Sequence, residues 1–306
     1  MWCASGRLLS ALEHPEPMSA LPVVRSVAAL RAELCARRRA GERVAFVPTM
    51  GALHAGHASL ITAARQRHTT VVASIFVNPL QFGPNEDLSR YPRTPEQDIE
   101  LLQAHGCALL FMPEVEEMYP PGSLTRVQQT GLSEVLCGRS RPGHFDGVLT
   151  VVLKLFMQVQ PDTAYFGRKD YQQALVIRRM VRDFNLPLDI EVCPIHREQD
   201  GLAMSSRNRY LSAEERAVAP QLFAALRHVN TAFGSGERSA AALVERGRMF
   251  LAREKRWTLD YLEVREPETL AARDGEVQFG DVVAIAARLG PARLIDNILL
   301  GEEWPG

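Results

Sequence analysis

Short apolar runs alternate with helical patterns over residues 44–193, and this alternation constrains the fold more than any other feature of the chain. The strand-like runs are VAFV, TVVASIFV, ALLFM, TAYF and LDIEVCP, and helical segments such as ASLITAARQRH and DYQQALVIRRMVRDF lie between them. In DGVLTVVLKLFMQV the apolar residues recur at intervals of three and four, which is typical of an amphipathic helix. The alternation predicts an α/β fold in which a parallel sheet has helices on both faces.

The pattern changes after Asn208. Ser212 and Glu215 in LSAEER predict a capping box at the start of one long Ala-rich helix. GSGE at residues 234–237 ends that helix, and a second helix is predicted over residues 239–254. LDYLEV, VVAIAARL and ARLIDNILL then predict three strands. We therefore expect a smaller α+β C-terminal domain with a short antiparallel sheet, beginning near Ile195.

Composition limits the classes of partner. Lys plus Arg number 35 against 36 Asp plus Glu, and a net charge of -1 gives no overall electrostatic reason to expect a nucleic acid or a membrane partner. No apolar run approaches the roughly 20 residues needed to span a bilayer. The five cysteines form no CxxC pair, which is typical of a reducing compartment. The sequence predicts a soluble cytoplasmic protein that acts on small molecules.

Residues 1–20 contain only one short apolar segment, LLSAL. Glu13, Pro15 and Pro17 interrupt it before it reaches the length of a signal-peptide core. We expect a loose N-terminal extension, and Met18 is an equally plausible start of the native chain.

Two histidines lie three residues apart in PTMGALHAGH, the turn between the first strand and its helix. Gly51 and Gly56 are spaced as in a phosphate-binding P-loop, but His57 occupies the lysine position and the chain contains no GK dipeptide. His54 and His57 are neighbours on a helix, where imidazole donors would add to the preference of a helix N-terminus for anions. The pattern allows a phosphate site, a helix cap beside a surface histidine, or a metal pair without a recognisable third ligand.

Other segments carry polar side chains near the ends of predicted elements. Lys169 in FGRKDYQQ follows a strand at the edge where open α/β sheets bind ligands, although a solvated loop lysine is the alternative. GLAMSSRNRYLS offers hydroxyl and guanidinium groups to a pyrophosphate, or else forms an ordinary capped helix entrance. Gln81 and Gln173 each combine a donor and an acceptor, which suits hydroxyl or carboxylate groups of a polar substrate.

The segments PTMGALHAGH, SIFVNPLQFGP with DLSRYPRTPEQD, GHFDGVLTVVLKLF, FGRKDYQQ and REQDGLAMSSRNRYLS occur in this order. Together they closely resemble the pantothenate synthetase (pantoate:β-alanine ligase) family of the HxGH nucleotidyltransferase superfamily. The resemblance begins near Leu21 and becomes sparse in motifs after Ser212. It implies a Rossmann-like domain over residues 21–194 that binds nucleotide and pantoate, a lid domain over residues 195–306, and a homodimer.

The resemblance implies condensation of (R)-pantoate with β-alanine in two steps. Pantoate attacks the α-phosphorus of ATP to give pantoyl adenylate and pyrophosphate, and the amine of β-alanine then displaces AMP. Mg²⁺ is expected on the phosphates, and no protein carboxylate is assigned to it. Two alternatives remain: a simple nucleotidyltransferase acting on a phosphorylated substrate, and an RNA-binding protein or synthetase fragment, which the neutral charge disfavours.

The resemblance also assigns residues to roles, with His57 as the proton donor. The predicted catalytic residues are His57, His54, Lys169 and Arg207. The predicted ATP-binding residues are Pro48, Thr49, Met50, Gly51, His54, Gly56, His57, Gly167, Arg168, Lys169, Asp170, His196, Met204, Ser205, Ser206 and Arg207. The predicted pantoate-binding residues are Gln81, Gln173, Asn78 and Arg141. Charge develops on phosphate oxygens during attack, so these donors would act by positioning and electrostatic stabilisation.

Two positions depart from the family pattern. His196 stands where the family usually has an aliphatic residue that contacts adenosine through its backbone, so its side chain matters only if that contact extends beyond the backbone. Arg168 places a second cation beside Lys169, which would tighten the binding of a triphosphate.

Overall fold

The computed structural model describes residues 20–84 and 86–304 and contains a six-stranded sheet in the N-terminal part of the chain. Its strands are β1 (Val23–Val24), β2 (Val44–Thr49), β3 (Thr70–Ile75), β4 (Leu109–Phe111), β5 (Thr163–Gly167) and β6 (Asp189–Cys193). The strand order is β1-β4-β3-β2-β5-β6, and every neighbouring pair is parallel. The predicted parallel sheet is confirmed.

Helices cover both faces of this sheet, as the sequence predicts. They are α1 (Val27–Arg39), α2 (Ala55–Arg65), α3 (Pro95–Ala104), α4 (Val115–Met118), α5 (Cys137–Ser140), α6 (His144–Val159) and α7 (Tyr171–Asp183). Along β2 the side chains alternate between two hydrophobic clusters: Phe46 packs with α1, α6 and α7, whereas Val47 packs with α2 and α3. A strand buried on both faces explains why VAFV is apolar throughout.

The C-terminal part contains three helices and a three-stranded antiparallel sheet. The helices are α8 (Ala213–Val218), α9 (Gln221–Gly234) and α10 (Ala240–Leu251), and the strands are β7 (Trp257–Arg265), β8 (Val282–Leu289) and β9 (Ala292–Leu299). The capping box of Ser212 and Glu215 is confirmed. The prediction of one long helix after it is wrong, because Pro220 has no N–H to continue the helix and separates α8 from α9.

The two sheets share buried contacts. Tyr261 of β7, together with Val282 and Ala284 of β8, belongs to the hydrophobic cluster that contains the buried residues of α6 and α7. A second cluster lies within the C-terminal part, between α9, α10 and the other face of its sheet. The predicted boundary near residue 195 stays a prediction, and the predicted extension falls almost entirely on residues 1–19, outside the described residues. Within the described ranges, no helix has the length and apolar character needed to cross a membrane.

Candidate active site

A cleft opens at the carboxyl ends of β2 and β5, where the order of the parallel sheet reverses. The chain continues from β2 through β3 to β4 on one side, and from β5 to β6 on the other. The connections therefore diverge between β2 and β5, and a crevice of this kind is the usual ligand site of open α/β sheets. Residues 50–57 follow β2 and Lys169 follows β5, so the predicted placement of this lysine at a strand's carboxyl end is confirmed.

The turn after β2 has an unusual backbone. Gly51 and Ala52 have φ angles of 82° and 50°, in the left-handed region. The carboxylate of Asp98 on α3, only 1% exposed, accepts the N–H groups of Ala52 at 2.9 Å and Leu53 at 2.7 Å. Thr94 donates its hydroxyl to the same carboxylate at 3.2 Å. Asp98 therefore holds the turn in the shape that starts α2.

The segment around residue 206 holds the same turn from the other side. The Ser206 hydroxyl donates to the carbonyl of Ala52 at 2.9 Å, and Arg209 donates to the carbonyl of Leu53 at 3.3 Å. The Ser205 hydroxyl accepts the N–H of Arg207 at 3.2 Å and begins a short 3-10 helix. The PTMGALHAGH and GLAMSSRNRYLS segments are thus in direct contact, although about 150 residues separate them in the chain.

His54 and His57 both cap α2 and both line the cleft. Nδ1 of His54 accepts the N–H of Gly56 at 3.1 Å, and Nδ1 of His57 accepts the N–H of His54 at 3.3 Å. Since Nδ1 is the acceptor in each ring, the proton of each neutral imidazole lies on Nε2. The ring centroids are 4.1 Å apart. The cap and the ligand site, which the sequence left as alternatives, are compatible in this geometry.

Both imidazoles are neutral at physiological pH. Burial, reinforced by the charge of Lys169, lowers the pKa of His57 to about 4. Burial, with the neighbouring His57 and Lys169, lowers the pKa of His54 to about 2. Each ring can therefore donate its Nε2–H to an anion without carrying charge. The described residues contain no group of three His, Cys, Asp or Glu side chains that could hold a metal, so the metal-pair interpretation gains no third ligand.

Three cations near the cleft have different partners. Lys169 has Asp170 within 3.4 Å, and the carbonyl oxygens of residues 168 and 169 each accept a bond from Asn297 of β9 at 3.0 Å. Arg207 is held by the carboxylate of Asp87. Arg168 forms an ion pair with Glu302 and does not line the cleft. The expectation that Arg168 supplies a second phosphate cation is therefore not supported, because Glu302 occupies its guanidinium.

Gln81 is positioned by a network of neighbours. Its amide donates to Sδ of Met50 at 3.1 Å and accepts from Asn78 at 3.0 Å, while Asn78 also donates to the carbonyl of Gly147 at 3.1 Å. A Cβ on Gly147 would overlap the Leu80 carbonyl, so this glycine lets α6 approach the Gln81 turn. Asn78 orients Gln81, and its predicted contact with pantoate stays a prediction.

His144 and Arg141 contact the backbone carbonyl of Gln81. His144 donates from Nδ1 to the Gln81 carbonyl at 2.8 Å, and Arg141 contacts its Nε2 at 2.9 Å. Arg141 is paired with Glu86 and lines an adjoining pocket, not the cleft that contains the histidines. Its predicted contact with pantoate stays a prediction that this geometry does not favour.

Most of the predicted site residues line the same cleft. The exceptions are Gly51, a buried residue of the turn after β2, and the two arginines Arg168 and Arg141. The backbone carbonyl of His196 accepts the Met204 N–H at 3.0 Å and its side chain is exposed. The adjoining pocket shares five residues with the cleft: Lys169, Asp170, Gln173, Ser205 and Arg207.

Three residues that hold parts of the site in place were not identified from the sequence: Asp87, Asp98 and Asn297. Asp87 and Asp98 lie inside DLSRYPRTPEQD, which carried part of the family resemblance, and that inclusion was the available signal. Asn297 lies on the last strand and offered no local signal, because its role depends on where β9 meets the β5 turn.

The fold and the cleft define a Rossmann-like α/β protein whose ligand site, at the switch point of the sheet, presents neutral and cationic donors suited to an anion. The model of the family described as "Pantoate-beta-alanine ligase" matches residues 22–299, so the chain belongs to the pantoate-beta-alanine ligase family.

Several relatives support this membership. The pantothenate synthetase of Pseudomonas putida is 55% identical over 283 residues, which is 92% of this chain and 98% of that protein. The enzyme of the same name from Koribacter versatilis is 52% identical over 278 residues, 91% of this chain and 95% of the relative. The family therefore extends across nearly the whole of the chain.

Solved structures of the same family have the same fold as this chain. The pantothenate synthetase of Thermus thermophilus superposes with a TM-score of 0.87 at 50% identity, covering 92% of this chain and 99% of that one. The pantoate-beta-alanine ligase of Francisella tularensis, solved with beta-gamma ATP and beta-alanine, has a TM-score of 0.76 at 34% identity and covers 93% and 99%.

Proposed function

We propose that the chain condenses (R)-pantoate with β-alanine to form pantothenate, and converts ATP to AMP and pyrophosphate through a pantoyl adenylate. The observation that carries the proposal is one cleft lined by two kinds of polar group. His54, His57 and Lys169 supply N–H donors, and Gln81 and Gln173 supply neutral amides. The first set suits a phosphate chain, and the second suits the hydroxyl and carboxylate groups of pantoate.

In the first step, the carboxylate of pantoate attacks the α-phosphorus of ATP, a new O–P bond forms, and the bond to pyrophosphate breaks. Negative charge increases on the phosphoryl oxygens as this happens. The Nε2–H groups of His54 and His57 and the ammonium of Lys169 would stabilise that charge, and their fixed positions avoid reorganisation during the reaction. His57 acts as a neutral hydrogen-bond donor, because burial holds its pKa at about 4.

In the second step, the amine of β-alanine attacks the carbonyl carbon of the adenylate. A C–N bond forms, the C–O bond to AMP breaks, and the amine loses one proton. The amide groups of Gln81 and Gln173 would hold the pantoyl group in place while the second substrate approaches. The relative from Francisella tularensis, solved with an ATP compound and β-alanine, supports both substrates.

Mg²⁺ belongs to the proposal as a companion of the nucleotide. The described residues offer no group of three His, Cys, Asp or Glu ligands, so phosphate oxygens would supply most of its coordination and Lys169 would share the remaining phosphate charge. When bound, the ion would neutralise charge on the leaving pyrophosphate. A homodimer, a closing C-terminal domain and a cytoplasmic location are further parts of the proposal.

The experiment uses pantoate labelled with ¹⁸O in its carboxylate. Purified protein with ATP, Mg²⁺ and β-alanine should form pantothenate, AMP and pyrophosphate in equal amounts, and the AMP should carry one ¹⁸O atom. Without β-alanine, pyrophosphate should appear only in an amount close to the number of sites. Absence of pantothenate from folded protein would refute the function, and unlabelled AMP or release of ADP would refute the adenylate.

A further inference from the structure

Two consecutive carboxylates, Glu86 and Asp87, hold two arginines beside the cleft. Nε and Nη2 of Arg207 donate to the two oxygens of Asp87 at 3.0 and 2.9 Å. Nε and Nη2 of Arg141 donate to the two oxygens of Glu86 at 2.6 and 2.7 Å. A guanidinium binds phosphate through the same edge of N–H groups that forms these paired, parallel bonds. Each carboxylate therefore stands where an oxyanion would bind.

The pair of Asp87 and Arg207 lies inside the site, not on the outer surface. Arg207 lines both the cleft and the adjoining pocket, and the side chains of the pair are 27% and 16% exposed for Arg207 and Asp87. The Tyr210 hydroxyl donates to Asp87 at 3.3 Å, and the Tyr91 ring lies 5.8 Å from the Arg207 guanidinium carbon. Reduced exposure to water strengthens the pair relative to an open surface bridge.

Asp87 is ionised beside Arg207. Its burial opposes ionisation, but the hydrogen bonds and charge of Arg207 outweigh that effect and bring the pKa of Asp87 below its usual value. A phosphate chain cannot use the Nε and Nη2 edge of Arg207 while Asp87 accepts both of its bonds, and only the Nη1 end of the guanidinium is left for it. Either the phosphate displaces the carboxylate, or it approaches Arg207 against the repulsion of a neighbouring negative charge.

We propose that Asp87 is an internal competitor for polyphosphate: it pairs with Arg207 before ATP binds, yields to the triphosphate, and returns to Arg207 as pyrophosphate leaves. The inference deepens the proposed function, because it rests on Arg207 as a phosphate ligand. Asp87 thereby weakens binding of every polyphosphate at this site. ATP keeps the affinity that its adenosine contacts provide, whereas pyrophosphate, the product of the first step, has no such contacts, so the competition favours its release.

The test measures binding of magnesium pyrophosphate alone by isothermal titration calorimetry. Asp87→Asn keeps the size of the side chain, and it should lower the dissociation constant by about tenfold, the scale of one charge-assisted pair. Asp200→Asn is the matched control, because Asp200 pairs with Arg216 at a distance of 2.6 Å outside both pockets. It should leave pyrophosphate affinity unchanged.

A double-substitution cycle separates this competition from a general effect of charge. In an Arg207→Ala background, Asp87→Asn should give no gain in pyrophosphate affinity, because the contested guanidinium is absent. An equal gain in both backgrounds would overturn the proposal, and so would unchanged or weaker binding in the single variant with a native circular dichroism spectrum. If neither the wild type nor Asp87→Asn binds pyrophosphate, the proposal is also refuted. Asp87→Ala repeats the test if the asparagine variant folds poorly.

The binding experiment and the synthetic assay fail independently. Pyrophosphate binding needs neither pantoate nor β-alanine, so a protein that makes no pantothenate would refute the proposed function and leave the cycle readable. In steady-state kinetics, Asp87→Asn should strengthen product inhibition by pyrophosphate about as much as it strengthens binding, whereas inhibition by AMP should not change.

Discussion

Replacing Asp98 by asparagine should disable the turn that carries the two histidines while leaving the fold intact. The carboxylate of Asp98 accepts three bonds, from the N–H groups of Ala52 and Leu53 and from the Thr94 hydroxyl. Asparagine has one oxygen, so its NH₂ group must face at least one of these donors. Gly51, which has a φ of 82°, lies directly against the Asp98 carboxylate, so the turn has little free space in which to accommodate the NH₂ group.

The size of the effect follows from the burial of these groups. A hydrogen bond to a charged acceptor contributes roughly 1.5–3 kcal/mol, and an unpaired buried N–H costs a similar amount. A local destabilisation of about 2 kcal/mol lowers the melting temperature of a chain of this size by roughly 3 °C. The turn can relieve the mismatch by moving, and a displacement of about 1 Å in a catalytic group can cost on the order of 100-fold in rate. We therefore expect kcat to fall about 100-fold in a protein that still folds.

The assay is pantothenate formation at saturating ATP, pantoate and β-alanine, with the melting temperature measured on the same preparation by scanning calorimetry. Asp183→Asn is the matched control, because Asp183 is exposed on α7 and forms an (i, i+4) pair with Arg179. A kcat within twofold of the wild type would refute a positioning role for Asp98. Loss of activity only in proportion to an unfolded fraction would show that Asp98 serves stability alone.

Four further predictions concern the donors in the cleft. His57→Ala should retain the fold but lower the rate of adenylate formation by orders of magnitude, measured as the first turnover of pyrophosphate; a collapse of the melting temperature would instead favour a purely structural cap. Lys169→Ala should lower kcat/KM for ATP, and an unchanged value would remove this lysine from the site. The ¹⁵N spectra of His54 and His57 should show Nε2–H tautomers that do not titrate between pH 5 and 8, because the pKa values are about 2 and about 4. Since unfolded imidazoles take up protons near pH 6.5, both histidines should make the free energy of unfolding fall as the pH decreases below that value, and denaturation in urea at pH 7 and pH 5 would measure the loss.

Local patterns in the sequence predicted the secondary structure well where burial repeats regularly. VAFV and TAYF became neighbouring parallel strands β2 and β5, and the residues that follow them, including the HAGH histidines and Lys169, met at one edge of the sheet. The position of the single break between α8 and α9 was missed, although Pro220 was visible in the sequence. An Ala-rich pattern favours helix on both sides of a proline, and the proline itself decides where the backbone hydrogen bonds stop.

Side-chain partners were predicted less completely than backbone elements. Arg168 was expected near phosphate because it precedes Lys169, but successive residues in a turn point in different directions, and Arg168 meets Glu302 of the C-terminal part. Arg141 was grouped with the pantoate residues, yet Glu86 holds it beside an adjoining pocket. Proximity in sequence does not determine which of two cations faces a cleft.

The sequence by itself determined the class of the fold, because the period of apolar residues reports which faces of each helix and strand must be buried. Its ordered motifs also determined the family. Only the tertiary structure decided that both histidines cap α2 and line the cleft, that Asp98 holds their turn, and that Asp87 pairs with Arg207. The pairings of Asp98 and Asp87 join residues that are distant in the chain. Their bonds depend on distances of about 3 Å and on the direction of each donor, which no local pattern encodes.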